Sequence, residues 1–215
     1  MAWAHKTAAG TPAAACRDAR VRFVTFSTDY VFSGTKGAPY LEGDSPGPLQ
    51  TYGISRIAGE YAALATHPNG TFLVRTCGLY GLTGAASKGG NFIDKRVAEA
   101  RAGKQLIIAN EQIVSPTYAA DLASAVIRLL RHGAAGPGIY HLANEGACSW
   151  YELACEALKI LNLPAEVTPI DRKGVDLTGF RRPLFSALGN TRARALGIVL
   201  PAWQDALERY LAARY

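Results

Sequence analysis

The chain has 215 residues, 49% apolar and 19% charged, enough to bury a substantial core and with no signature of disorder or of a fibre. Its net charge of +6 comes from scattered Lys and Arg, which argues against a nucleic-acid partner and suits a site that receives anionic ligands. No signal peptide and no apolar run of about 18 residues is found, and Cys16, Cys77, Cys148 and Cys155 lack metal or paired spacing, so a reducing, cytoplasmic setting without membrane or metal is expected.

The first twenty residues, MAWAHKTAAGTPAAACRDAR, are Ala-rich and predict a short helix. VRFVTF predicts a buried strand over 21–26, running directly into STDYVF. A Gly/Pro-rich loop then leads to Gln50, TYGISRIAGEYAALA predicts a helix over 51–65, and TFLVRT a strand over 71–76. After the Gly-rich loop GLTGAASKGG come a helix near 91–102, the short strand QLIIA, and a helix over 118–131 with Leu122, Val126, Leu129 and Leu130 on one face. GIYHLA at 138–143 reads as a buried strand with His141 a core histidine, and Asp121 as a helix-supporting residue.

Beyond residue 143 the texture changes. SWYELACEALKILNL is an amphipathic helix opened by a capping box, Ser149 and Glu152 standing three apart. A strand AEVTPI, a basic loop, a short helix ending at Gly197 and a last helix from Pro201 complete the chain, with Trp150, Tyr151 and Trp203 expected to pack lobes together. Strands alternating with helices predict an α/β fold: part of a doubly wound parallel sheet over 1–142, with 79–110 joining a small C-terminal α/β lobe of 143–215.

Two readings of STDYVF compete: a turn that closes the strand, or half of a site, since open α/β sheets bind ligands beyond the carboxyl ends of their strands. Tyr52 and Arg56 lie one helical turn apart and share a face. A phenol is a poor acid or base at neutral pH unless a cation stabilises its anion, and Arg56 supplies one. Such a pair is expected about once by chance here. With Thr28 at the strand end, 24 residues earlier, the set matches what ketone reduction needs: a hydroxyl to hold the carbonyl and a phenol to protonate it.

In order, STDYVFSGTKGAPYLEGDSPGPLQTYGISRIAGE, FLVRTCGLYG, GGNFIDKRV, SPTYAADLA, GIYHLANEG and RRPLFSAL resemble dTDP-4-dehydrorhamnose reductases, extended short-chain dehydrogenase/reductases, from about Val21 to the C-terminus. The resemblance implies an incomplete NAD(P)-binding Rossmann-like domain and reduction, by NADPH or NADH, of the 4-keto group of a dTDP-4-dehydro-6-deoxy sugar. The product would be dTDP-L-rhamnose, a precursor of cell-wall polysaccharide. It implies that Thr28 orients the keto oxygen, Tyr52 donates the proton, and Arg56 holds the nicotinamide ribose and lowers the Tyr pKa. Ser27 and Thr76 would complete the cofactor side; Asp29, Asn91 and Arg182, with Pro183 and Ser186, would border the nucleotide sugar. A homodimer is compatible with this reading. The alternative is a non-catalytic subunit on the same scaffold, like the regulatory subunit of methionine adenosyltransferase.

Three features depart from the family pattern. Arg56 stands where Lys is usual, keeping the charge but unable to give up a proton. Gly78 replaces an aromatic expected to pack on the nucleotide sugar. No Gly-rich strand–helix turn for the pyrophosphate precedes the first strand, so a chain beginning inside the fold, with an exposed apolar sheet edge, is expected.

Overall fold

The computed structural model describes residues 2–83, 90–171 and 180–215, with side chains from residue 9 onward. The middle of the Gly-rich loop (84–89) and most of the basic loop (172–179) lie outside the described residues. In chain order the elements are α1 (Ala2–Asp18), β1 (Phe23–Thr28), a 3-10 turn (Asp29–Val31), α2 (Thr51–Thr66), β2 (Thr71–Thr76), β3 (Leu79–Tyr80), α3 (Phe92–Arg101), β4 (Leu106–Ala109), β5 (Ile113–Val114) and β6 (Thr117–Tyr118). They continue with α4 (Ala119–Arg131), β7 (Gly138–His141), β8 (Cys148–Ser149), α5 (Trp150–Ile160), β9 (Val167–Ile170), α6 (Thr191–Ala195) and α7 (Trp203–Arg214).

A parallel sheet, β1-β2-β7, forms the centre, with helical crossovers between its strands as parallel pairing requires. All six residues of β2 are buried, as a central strand covered on both faces should be. On one face Leu122, Ala125 and Leu129 of α4 close over Phe72, Val74 and Tyr140, with Val126 and Leu130 at the margin. β1 is an edge strand of this sheet, and Phe26 on it is 46% exposed. α1 is longer than the short helix expected. It spans 17 residues with Pro12 inside and lies along α2, where small side chains permit close approach: a Cβ on Gly10 would sit 3.6 Å from that of Ala62.

β4 pairs with β9 in parallel and β5 with β8 antiparallel, so segments before and after residue 143 interleave. The predicted capping box opens α5, Ser149 accepting from the Glu152 backbone N–H at 3.0 Å and the Glu152 carboxylate accepting from Ser149 N–H at 2.7 Å. Trp150 touches three apolar clusters, and Trp203 lies in the one shared by α3, α5 and α7.

Arg75 sits in β2 only 2% exposed, and its desolvation is met by Glu60 of α2. Nε and a terminal nitrogen donate to the two Glu60 oxygens at 3.0 and 2.6 Å, and the guanidinium stacks over Phe32 at 5.1 Å. His141, paired with Arg75 in register, is fully buried and donates Nδ1–H to the Tyr40 carbonyl at 3.0 Å. Burial, reinforced by the charge of Arg75, holds its pKa down to about 3.

Two stability effects follow. Glu60→Leu strands a buried guanidinium and is expected to cost about 3–5 kcal/mol in urea unfolding, most of it recovered in the Arg75→Met/Glu60→Leu double variant. The native state resists protonating His141, whereas the unfolded chain protonates near the ordinary value of about 6.5. That stability is therefore complete above this pH and is lost as pH falls below it, by up to about 1.4 kcal/mol per pH unit. Unfolding free energies measured from about pH 7 to 5 should show this decline, flattened in His141→Asn.

Candidate active site

The carboxyl end of β1 meets the start of α2 and the segment Phe180–Leu188. Thr28 is the last strand residue and also the N-cap of the 3-10 turn, its hydroxyl accepting the Tyr30 N–H at 3.2 Å. The turn reading of STDYVF is thus realised, because a strand that stops here must satisfy its next backbone donor. The same hydroxyl donates to Asp29 Oδ1 at 3.0 Å, and Ser186 Oγ donates to Asp29 Oδ2 at 2.5 Å. Asp29 is 4% exposed, so it is a buried strut between β1 and the late segment rather than an open wall of the site.

α2 starts beside this turn. Gln50 caps it by accepting from Tyr52 N–H at 3.0 Å. Gly53 lets the helix come this near, since a Cβ there would run into the Tyr30 carbonyl oxygen. Tyr52 projects outward, 46% exposed, with its ring edge-on to Tyr30 at 6.0 Å and the Arg56 guanidinium 6.0 Å from its centroid. The one-turn spacing read in the sequence therefore places cation and phenol together. Arg56 also donates to the Phe26 carbonyl on the free side of β1. Beside it a cavity of about 90 Å³ is lined by Ala9, Thr25, Phe26, Ser27, Arg56, Gly59 and Glu60.

Arg182 reaches the same group from the late segment, donating to the Tyr30 phenol oxygen at 3.0 Å. Burial, with the Asp29 charge, pushes that phenol up to about 12, against the pull of Arg182. The segment is held by backbone hydrogen bonds from Phe185 N–H to Gly34 and between Ile113 and both Leu184 and Ser186. Pro183 is buried beside Gly34. Burial and neighbouring Asp29 raise the Cys77 thiol well above its ordinary range, so it stands as a neutral group under the site.

The structure therefore brings together Thr28, Asp29, Tyr52, Arg56 and Arg182. Ser27 and Thr76 lie near the ends of β1 and β2, in register with Arg75 and Thr28 respectively, each buried with a hydroxyl oxygen that has no hydrogen-bond partner. Asn91 has its polar atoms committed elsewhere: it caps α3 through Asp94 N–H and donates to Gly81 O and Tyr210 OH. Gly78 adopts φ +54°, and a Cβ there would lie 3.2 Å from Pro116 and 3.5 Å from the Trp150 ring. An aromatic at 78 would compete with Trp150 for that space. Sequence reasoning missed Tyr30 and the Arg75–Glu60 pair; the signal for the latter was a charged residue inside a strand otherwise buried.

A profile of the RmlD substrate binding domain matches residues 3–215. The chain belongs to that family. It is 36% identical to a dTDP-4-keto-6-deoxy-D-glucose reductase from Streptomyces niveus and to a dTDP-4-dehydrorhamnose reductase from Streptomyces griseus, in each case over 91% of this chain. It spans 66% of the first relative's length and 64% of the second's. The crystal structure of dTDP-4-dehydrorhamnose reductase from Bacillus anthracis in complex with NADP matches with a TM-score of 0.87 at 32% identity, over 95% of this chain and 70% of that one. A UDP-galactose 4-epimerase, 17% identical with a TM-score of 0.71, shares the fold alone. The α/β, Rossmann-like architecture is thus common to this family and its wider neighbours.

Because Gly53 sets the approach of α2, Gly53→Ala should force the helix start away from Tyr30. The expected cost is about 1–3 kcal/mol, read as a lowered thermal midpoint.

Proposed function

We propose that the chain carries the substrate half of a reductase that converts the 4-keto group of a dTDP-4-dehydro-6-deoxy sugar to the alcohol of dTDP-L-rhamnose. The observation that carries this reading is the placement of Tyr52, with Arg56 one turn behind it, against the Thr28 turn at the carboxyl end of β1. Names of the relatives support the substrate class: both are reductases of dTDP-linked keto sugars.

Thr28 would hold the keto oxygen and Tyr52 would give it a proton, with the Arg56 guanidinium one turn behind the phenol. Arg182, already at the Tyr30 phenol, supplies positive charge for a pyrophosphate. A reduced nicotinamide dinucleotide, NADPH or NADH, supplies the hydride when bound; the NADP in the B. anthracis structure supports this class. The residues present fit its nicotinamide end. Tyr52 and Arg56 would take ribose hydroxyls, and the unpartnered Ser27 and Thr76 hydroxyls offer polar contacts at the strand ends. The interleaved elements of 79–110 and 143–215 would act as one substrate lobe. Four free thiols support a cytoplasmic setting, and no helix among the described residues is long and apolar enough to cross a membrane.

The test is oxidation of NADPH by the dTDP-4-keto-6-deoxy sugar. Tyr52→Phe should lower kcat by roughly 10²–10⁴-fold, while Arg56→Lys keeps the cation and retains turnover. Equal rates for Tyr52→Phe and the unaltered protein would sink the reading.

A further inference from the structure

A threonine hydroxyl has one hydrogen and two lone pairs. At Thr28 the hydrogen goes to Asp29 Oδ1 and one lone pair receives the Tyr30 N–H. Only a lone pair is left. That arrangement can accept from the Tyr52 phenol or from an alcohol, but it has nothing to give a ketone oxygen, which is itself only an acceptor. The role assigned to Thr28 in reduction therefore conflicts with its hydrogen bonding as long as Asp29 is an ionised acceptor.

We propose that Asp29 is a positioning residue that takes up a proton when the ketone binds, donates it to Thr28 Oγ1, and so frees the threonine hydrogen for the keto oxygen. This rests on the reductase reading above. In the protonated arrangement Thr28 accepts from Asp29 and from Tyr30 N–H and donates to the ketone, which uses its full capacity. The same 3.0 Å contact serves in either direction. Asp29 Oδ2 continues to accept from Ser186, so the strut to the late segment is kept. The proton comes from solvent and returns there once the product alcohol, which can donate, turns Thr28 back into an acceptor. No bond to carbon changes at Asp29; the proton delivered to the reduced oxygen is that of Tyr52.

The surroundings reduce the cost of taking up this proton. Burial is the dominant influence and lifts Asp29 above the ordinary carboxylate range, against the lowering effect of its Ser186, Cys77 and Thr28 hydrogen bonds. The titratable and charged groups facing it are Cys77 from the end of β2, held as a neutral thiol, and Tyr30 on its own turn, a neutral phenol whose oxygen receives Arg182. A carboxylic acid kept neutral by an apolar setting so that it can donate a hydrogen bond is established enzyme chemistry.

Infrared difference spectra of the full chain test the idea, recorded on adding the dTDP-4-keto-6-deoxy sugar with oxidised NADP so that no turnover occurs. A protonated-carboxyl C=O band should appear in the unaltered protein and be absent from Asp29→Asn. Binding of the ketone, followed by its own carbonyl band, without a carboxyl band overturns this proposal alone; no binding of the ketone removes the reductase reading with it. In turnover, kcat should fall about tenfold per pH unit above the Asp29 ionisation. Asp29→Asn, whose amide N–H donates to Thr28 at every pH, should lack that limb, and a variant profile that superimposes on the unaltered one overturns the assignment.

Discussion

The buried pair of Arg75 and Glu60 governs where everything else stands. A guanidinium in the central strand cannot be left unpaired, so the face of α2 bearing Glu60 must lie on β2. That requirement fixes the rotation of the helix. Tyr52, two turns upstream, then emerges at the carboxyl end of the sheet, and Arg56 between them falls on the side of β1. The same guanidinium stacks on Phe32 and adds its charge to the burial that holds its register neighbour His141 neutral, so one ion pair ties together α2, the sheet and the loop that follows the 3-10 turn.

The candidate site is a junction between a wet and a dry compartment. Tyr52 stands in solvent, while Thr28, Asp29 and Ser186 form a closed hydroxyl and carboxyl network beneath it. In the proposed reduction, the exposed phenol would meet substrate while the buried dipoles would fix the carbonyl oxygen. Tyr30 links the two, touching Tyr52 with its ring and Arg182 with its phenol.

Positions singled out in the sequence acquire local reasons. Gly78 sits at positive φ beside Trp150, which fills the adjacent space from the start of α5. Asn91 is drawn into the hydrogen-bonded group of Tyr210 and Asp94 that pins α7 to α3. β1 is an edge strand of the central sheet among the described residues, and Phe26 on it is exposed.

Local patterns carried most of the secondary structure. The strand TFLVRT, the apolar stripe of α4 and the Ser149–Glu152 box each depend on neighbours within a few residues, and so they were readable in the sequence, as was the Tyr52–Arg56 spacing. The 17-residue length of α1 was not, because Pro12 and Gly10 argue for a break that packing along α2 overrides. Nor could sequence pattern show that Asp29 is a buried strut, that Glu60 answers Arg75, or that Arg182 lies on Tyr30. Sequence periodicity determined which residues share a face; only the tertiary structure decided which faces meet, because the partners stand 15 to 157 residues apart and are joined by desolvation rather than by spacing.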